Sequence, residues 1–162
     1  MYELLVVPYD SLDEAEAARQ RLQRLSNRYL VDVADAVVAG PDGAGRLKLE
    51  HLVDLWPVGL AGRAIWGSLA AVLREHPLVV GGAAGTETLA DFGISDAFMA
   101  QVRDQLERHG ALMFVLAREV NSAHVIEQLR ISPEALLRSD IHRPEVIARR
   151  DPAGLGRAVM TA

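Results

Sequence analysis

Three short stretches of the sequence carry residue types able to do chemistry. His51 and Asp54 stand three positions apart near the end of an alternating segment, with His142 available as a third ligand. A converged set of this kind would hold a metal ion or move a proton. The plainer reading makes His51 a half-buried strand histidine and His142 a surface one. Arg74-Glu75-His76 falls at the bend of an apolar segment, either as a polar cluster lining an assembly pore or as the solvated tip of a hairpin. Gly81-Gly82-Ala83-Ala84-Gly85 has the glycine content of a phosphate loop but lacks the Lys-Ser/Thr that such a loop needs, so close helix packing explains it better. The glycines of Pro41–Gly45 are those of a hairpin turn. The chain has no cysteine, which removes disulfides, thiolate catalysis, zinc–thiolate sites and iron–sulfur clusters. No catalytic residue is assigned, and neither a structural metal nor a bound cofactor is expected.

The composition narrows the class. A net charge of −5, with Lys48 the only lysine and the arginines scattered over several helices, argues against a nucleic-acid partner. With 162 residues the chain is one domain or one domain with an insertion, long enough to fold without a staple. Hydrophobic residues make up 50% and aromatics only 5%, so the core must be aliphatic and alanine-rich. The start Met1-Tyr2-Glu3 has no basic region, which speaks against a signal peptide and for the cytoplasm.

The elements that would position these residues follow from periodicity. Glu3–Tyr9 and Ala111–Ala117 are continuously apolar runs of strand length, as strands buried on both faces must be. Ser11-Leu12-Asp13-Glu14 is a capping box, and Leu12, Ala15, Ala18, Leu22 and Leu25 then recur at helical spacing. Acidic residues fill the first turn of this helix and Arg19, Arg21, Arg24 and Arg28 follow, matching the helix dipole. Leu30–Ala39 reads as a second strand, Pro41-Asp42-Gly43 as a turn, and Leu47–Val53 as an edge partner. Ser95 opens an amphipathic helix that stops at His109-Gly110. After the second apolar strand, Asn121 or Ser122 caps a short helix, which Pro133 ends. Ala135–Ile141 reads as the last strand and Pro144–Arg150 as a final short helix. The pattern predicts an α+β protein with a ferredoxin-like sheet, made of two β-α-β halves plus an edge strand. The first half with its edge strand spans residues 1–56, an insertion 57–110, the second half 111–150 and a tail 151–162.

The insertion asks most for an explanation. Pro57–Asp91 is apolar or glycine at most positions and is divided at His76-Pro77, so it predicts a glycine-rich helical hairpin. Arg63 and Arg74 are eleven residues apart, about three helical turns, and share one narrow stripe. The uncharged runs Ala64–Leu73 and Pro77–Thr86 fall well short of the about twenty residues of a membrane span. Gly81 and Gly85 form a GxxxG that permits close helix contact.

Glu3–Val7, the Pro41-Asp42-Gly43 turn, Gly59–Gly67 with Trp66, Gly81–Gly85 and Asp91-Phe92-Gly93-Ile94 together give the chain a resemblance. It looks like a family of small bacterial proteins classed as a domain of unknown function, whose members are often labelled membrane proteins for their hairpin. The chain departs from that pattern where Arg63, Arg74, Glu75 and Glu87 interrupt the apolar hairpin. From the residues themselves, the apolar surface of the insertion exceeds what one small sheet readily covers, and each large aliphatic side chain left in water forgoes roughly 1.5–3 kcal/mol. The leading expectation is therefore a non-enzymatic protein that self-associates or docks through the hairpin. Leu60, Ile65, Trp66, Leu69, Leu73, Val79, Gly81 and Gly85 would form the homo-oligomer interface. Three alternatives stand beside it: a small-ligand-binding regulatory domain, an enzyme of the dimeric α/β-barrel type, and peripheral attachment to a membrane surface.

Overall fold

The computed structural model describes residues 2–41, 47–51, 60–74 and 89–142. The two apolar runs are strands β1 (Tyr2–Tyr9) and β4 (Ala111–Arg118), and they lie side by side in a five-stranded antiparallel sheet. With β2 (Val33–Pro41), β3 (Leu47–His51) and β5 (Leu137–Ile141) the order is β3-β2-β4-β1-β5. β1 and β2 flank β4, and β4 and β5 flank β1, so the two halves of the chain interleave in one sheet. β3 pairs with β2 at one edge as the alternation of Leu47–Val53 predicts, with residues 52 and 53 outside the described residues.

Among the described residues, four helices cover the two faces. α1 (Leu12–Asn27) and the short α4 (Ser122–Gln128) lie on one, burying Ala15, Leu22 and Val125 against Leu5, Ala36, Met113 and Val115. α2 (Leu60–Arg74) and α3 (Asp96–His109) lie on the other, against Leu4, Val6, Val37, Leu112, Phe114 and Leu116. Successive residues of β4 alternate between the two cores, which is why the strand can be apolar throughout.

The helix ends show where local chemistry decides. Ser11 Oγ accepts the Glu14 N–H at 3.2 Å, as the capping box requires, but the returning Glu14 carboxylate accepts from Asp10, one residue before the cap. Ser95 Oγ accepts the Phe98 N–H at 3.1 Å, and α3 stops on Gly110 at φ +91. Asn121 stands at the N-cap of α4 without a capping bond. That helix ends before Pro133, because Arg130 adopts φ 55 and the Ile131 N–H closes on Ile126 O. The predicted strand start at Leu30 also shifts, to Val33, for a like reason. The Tyr29 N–H bonds Ser26 O and the Leu30 N–H bonds Leu25 O, so these residues terminate α1. The 42–46 turn, the second half of the predicted hairpin and the predicted helix at 144–150 lie outside the described residues.

Candidate functional site

Two polar features are built into the structure, one inside and one on the surface. The inner one begins with a bulge in β2: Val33 faces Ala117 and Asp35 faces Leu116, so Ala34 is one residue extra. The shift sets Asp35 on the same face as Leu116, beneath α2. There its Oδ2 accepts the indole N–H of Trp66 at 2.6 Å and its Oδ1 accepts the Ala36 N–H at 2.8 Å. Both side chains are buried. This pair locks α2 to the sheet through a hydrogen bond in an otherwise aliphatic layer.

That anchoring revises the expectation for the apolar insertion. Ile65, Trp66 and Leu69 are 0, 3 and 1% exposed and belong to the chain's own core, with Leu73 partly buried against it. Within one chain Ile65, Trp66 and Leu69 expose almost no surface, and Leu73 keeps a part of its own. The reason is geometric: α1 and α4 cover one face of the sheet, and the other face also needs a cover, which α2 and α3 supply. Leu60 opens α2 with its side chain outside the described residues, and Val79, Gly81 and Gly85 lie outside them altogether.

His51 and His142 do not come together, and Asp54 lies outside the described residues. His51 ends β3 and His142 follows β5, on opposite edge strands that are four strand spacings, about 19 Å, apart. The imidazole of His142 instead lies over Gly93, where an added Cβ would sit 2.9 Å from its ring atoms, and its backbone N–H bonds Phe92 O at 2.7 Å. Gly93 has φ +87 and closes the helical turn at Leu89–Asp91, with Ile94 N–H on Leu89 O and Gly93 N–H on Ala90 O. Asp91-Phe92-Gly93-Ile94 is therefore a helix stop clamped by β5. Among the described residues no group of three His, Asp or Glu is placed to hold a metal ion, and no helix is long and apolar enough to cross a membrane. Of Arg74-Glu75-His76, only the backbone of Arg74, the last residue of α2, is described.

At the end of β1 near β5, Arg138 forks onto the buried Glu3 carboxylate at 2.6 and 3.2 Å. That hydrogen bond first, and the nearby Glu3, Asp140 and Glu119 charges next, hold its guanidinium pKa above the ordinary value.

The surface feature is the corner where α1 meets β2. Tyr29 is 87% exposed and sits at φ 58, a left-handed conformation that favours glycine and that bulky side chains rarely adopt. Leu30, next to it in the chain, and Val120, next to Asn121 in the turn after β4, are 47 and 92% exposed. The Asp32 N–H donates to Asn121 Oδ1 at 2.7 Å, and Arg118 pairs with Asp32 at 3.1 Å while lying over the Tyr2 ring. These contacts fix the α1–β2 turn to the turn after β4. Ser26, Tyr29, Asp32 and Asn121 help line an open groove of about 340 Å³ at this corner. A second groove of about 230 Å³ adjoins it on α1, lined by Arg21, Arg24, Leu25 and Arg28. Sequence reading missed the corner because it took Leu30 for the first residue of a strand. The one available sign was the order Asn27-Arg28-Tyr29, a helix end without glycine.

The chain is thus a mixed α+β protein with an antiparallel sheet covered by helices on both faces. Residues 60–148 match the family described as "Protein of unknown function (DUF1269)"; the match spans more than half of the chain, and the protein belongs to that family. No curated protein and no solved structure matches it. Val120 and Asn121 fall within the matched segment, and α1 falls before it.

Proposed function

We infer that this is a non-enzymatic docking protein, built on a ferredoxin-like sheet with β3 as an added edge strand, whose contact surface is the α1–β2 corner. The interleaved strand order supports that fold reading. One observation carries the functional reading: the residue that closes α1 is a tyrosine held at φ 58 and almost wholly in solvent. Glycine would close the same turn without strain, and a bulky side chain there costs on the order of 1 kcal/mol. Such strain is expected where the side chain is wanted for contact. Exposed Leu30 and Val120 extend the patch, and tyrosine is the side chain that gives large contact area at low entropy cost.

Two measurements test this reading. Tyr29→Gly, measured at a dilution where the chain is free of any partner, should raise the thermal midpoint by about 2–4 °C, because it relieves the backbone without removing a buried contact. A photo-crosslinking residue at position 29 or 120, in cells producing the protein, should give a discrete adduct that the same residue at Glu134 does not. A Tyr29→Gly variant less stable than wild type, or no adduct at 29 and 120, would refute the corner as a docking surface.

A further inference from the structure

We propose that the docking partner is a second copy of this chain, joined through an antiparallel α1–α1 contact about a two-fold axis. The inference rests on the docking reading above and names its partner. Glu14, Ala17, Arg21 and Arg24 are exposed on α1, with exposed Asp10 just before its N-cap and exposed Arg28 at its C-cap, and the six follow one another at steps of four, three, four, three and four; the Asp10 carboxylate also lies 4.0 Å from His109 Nδ1 of its own chain. That spacing is the one that keeps a single stripe facing a neighbouring helix. One half of the stripe is acidic and small, the other half wholly basic, and the midpoint lies at the level of Arg19. Reversing the stripe lays it on its own complement: Asp10 meets Arg28 of the second copy, Glu14 meets Arg24 and Ala17 meets Arg21. A parallel arrangement would set like charges together. Two-fold symmetry repeats each contact, as an isologous interface must.

Three further observations point the same way. Among the described residues the guanidiniums of Arg19, Arg108, Arg118 and Arg138 are paired with carboxylates of their own chain. Those of Arg21, Arg24 and Arg28 have no such pair among the described residues, nor have those of Arg103 and Arg130 elsewhere, and the first three fall on this stripe. They line the groove of about 230 Å³ on α1 with Leu25, a place for the Glu14 carboxylate of the second copy. Ala17, in the middle, lets the two helices approach. One residue beyond Arg28, at each end, stands exposed Tyr29, opposite the half-buried Pro8 and Tyr9 of the other copy.

Sedimentation velocity of the full chain should show a dimer that grows with protein concentration and is lost near 1 M salt, where charge attraction is screened beyond about 3 Å. Each charge reversal alters two symmetric pairs. Arg24→Glu or Glu14→Arg alone should therefore weaken the dimer about tenfold or more, and the double variant carrying both should recover it to within about threefold. The Asp10→Arg and Arg28→Asp pair, at the helix ends where folding is least affected, should behave likewise. Circular dichroism confirms that each variant is folded. The crosslinked adduct at position 29 should have twice the chain mass.

A wild type that stays monomeric at hundreds of micromolar in low salt would overturn the proposal, as would a dimer indifferent to the charge swaps. An adduct of some other mass overturns it while leaving the docking reading in place. A swap-sensitive dimer whose stability falls on Tyr29→Gly keeps the dimer and removes Tyr29 as its strained anchor.

Discussion

Trp66→Phe is the substitution that most directly tests how α2 is held. The indole N–H donates to Asp35 Oδ2 at 2.6 Å, and both residues are buried. A buried hydrogen bond to a carboxylate is worth about 1.5–3 kcal/mol. Shrinking the ring in a packed layer adds roughly 1 kcal/mol. The expected loss is thus about 2.5–4 kcal/mol, a large part of the roughly 5–15 kcal/mol on which a domain rests. Urea denaturation followed by far-ultraviolet circular dichroism measures it. A double-mutant cycle with Asp35→Asn separates the bond from the packing, and the coupling energy should reach about 1–2 kcal/mol. A loss under about 1 kcal/mol together with no coupling would refute the anchoring role. Trp66→Asp then becomes diagnostic: with the side chain inside, it sets a second carboxylate beside Asp35 and the protein fails to fold. A folded, soluble Trp66→Asp monomer would place Trp66 on an outer surface after all.

Two further outcomes follow from the same geometry. Gly93→Ala should cost about 2–4 kcal/mol, since the position has φ +87 and the new methyl would meet the His142 ring; in a His142→Ala background the penalty should fall by about half, leaving only the backbone strain, as denaturation midpoints would show. Burial pushes the Tyr9 hydroxyl up to about 12, so the folded state keeps a proton that the unfolded chain gives up near pH 10. The contribution of Tyr9 to stability is therefore constant below pH 10 and falls between pH 10 and 12, by up to about 2–3 kcal/mol, and Tyr9→Phe should flatten that fall.

Much of the sheet is legible in the sequence because its signals are local. A strand buried on both faces is apolar along its length, as Leu4–Val7 and Ala111–Ala117 are. Ser11 and Ser95 mark helix starts with their side chains, and Gly110 marks an end with its backbone. The signals fail where the chain spends a residue against its type. Tyr29 and Arg130 end helices in a conformation that favours glycine, so the stop behind Leu30 and the stop before Pro133 go unannounced. The Asp35–Trp66 bond depends on one extra residue in β2 and on a helix 31 positions away, which no local pattern encodes.

The same distinction explains why apolar surplus is a poor guide to the contact surface. Periodicity shows that α2 must be covered but not by what. The answer depends on how many faces the sheet leaves open once α1 and α4 are placed. With α2 folded onto the second face, Ile65, Trp66 and Leu69 are satisfied within one chain, and the case for assembly through them loses its driving force. Among the described residues the exposed surface also carries features of another kind: a strained tyrosine, the exposed aliphatics Leu30 and Val120, and a helix whose charges match its own reversal. The acid-to-base order along α1 looks, in sequence, like ordinary matching of the helix dipole. Only the exposure of all six stripe residues, with intrachain carboxylates already holding four other arginines, gives that order a second meaning. A contact of this kind is weak pair by pair and strongly dependent on salt, so it suits an association that forms and releases with conditions better than a permanent one.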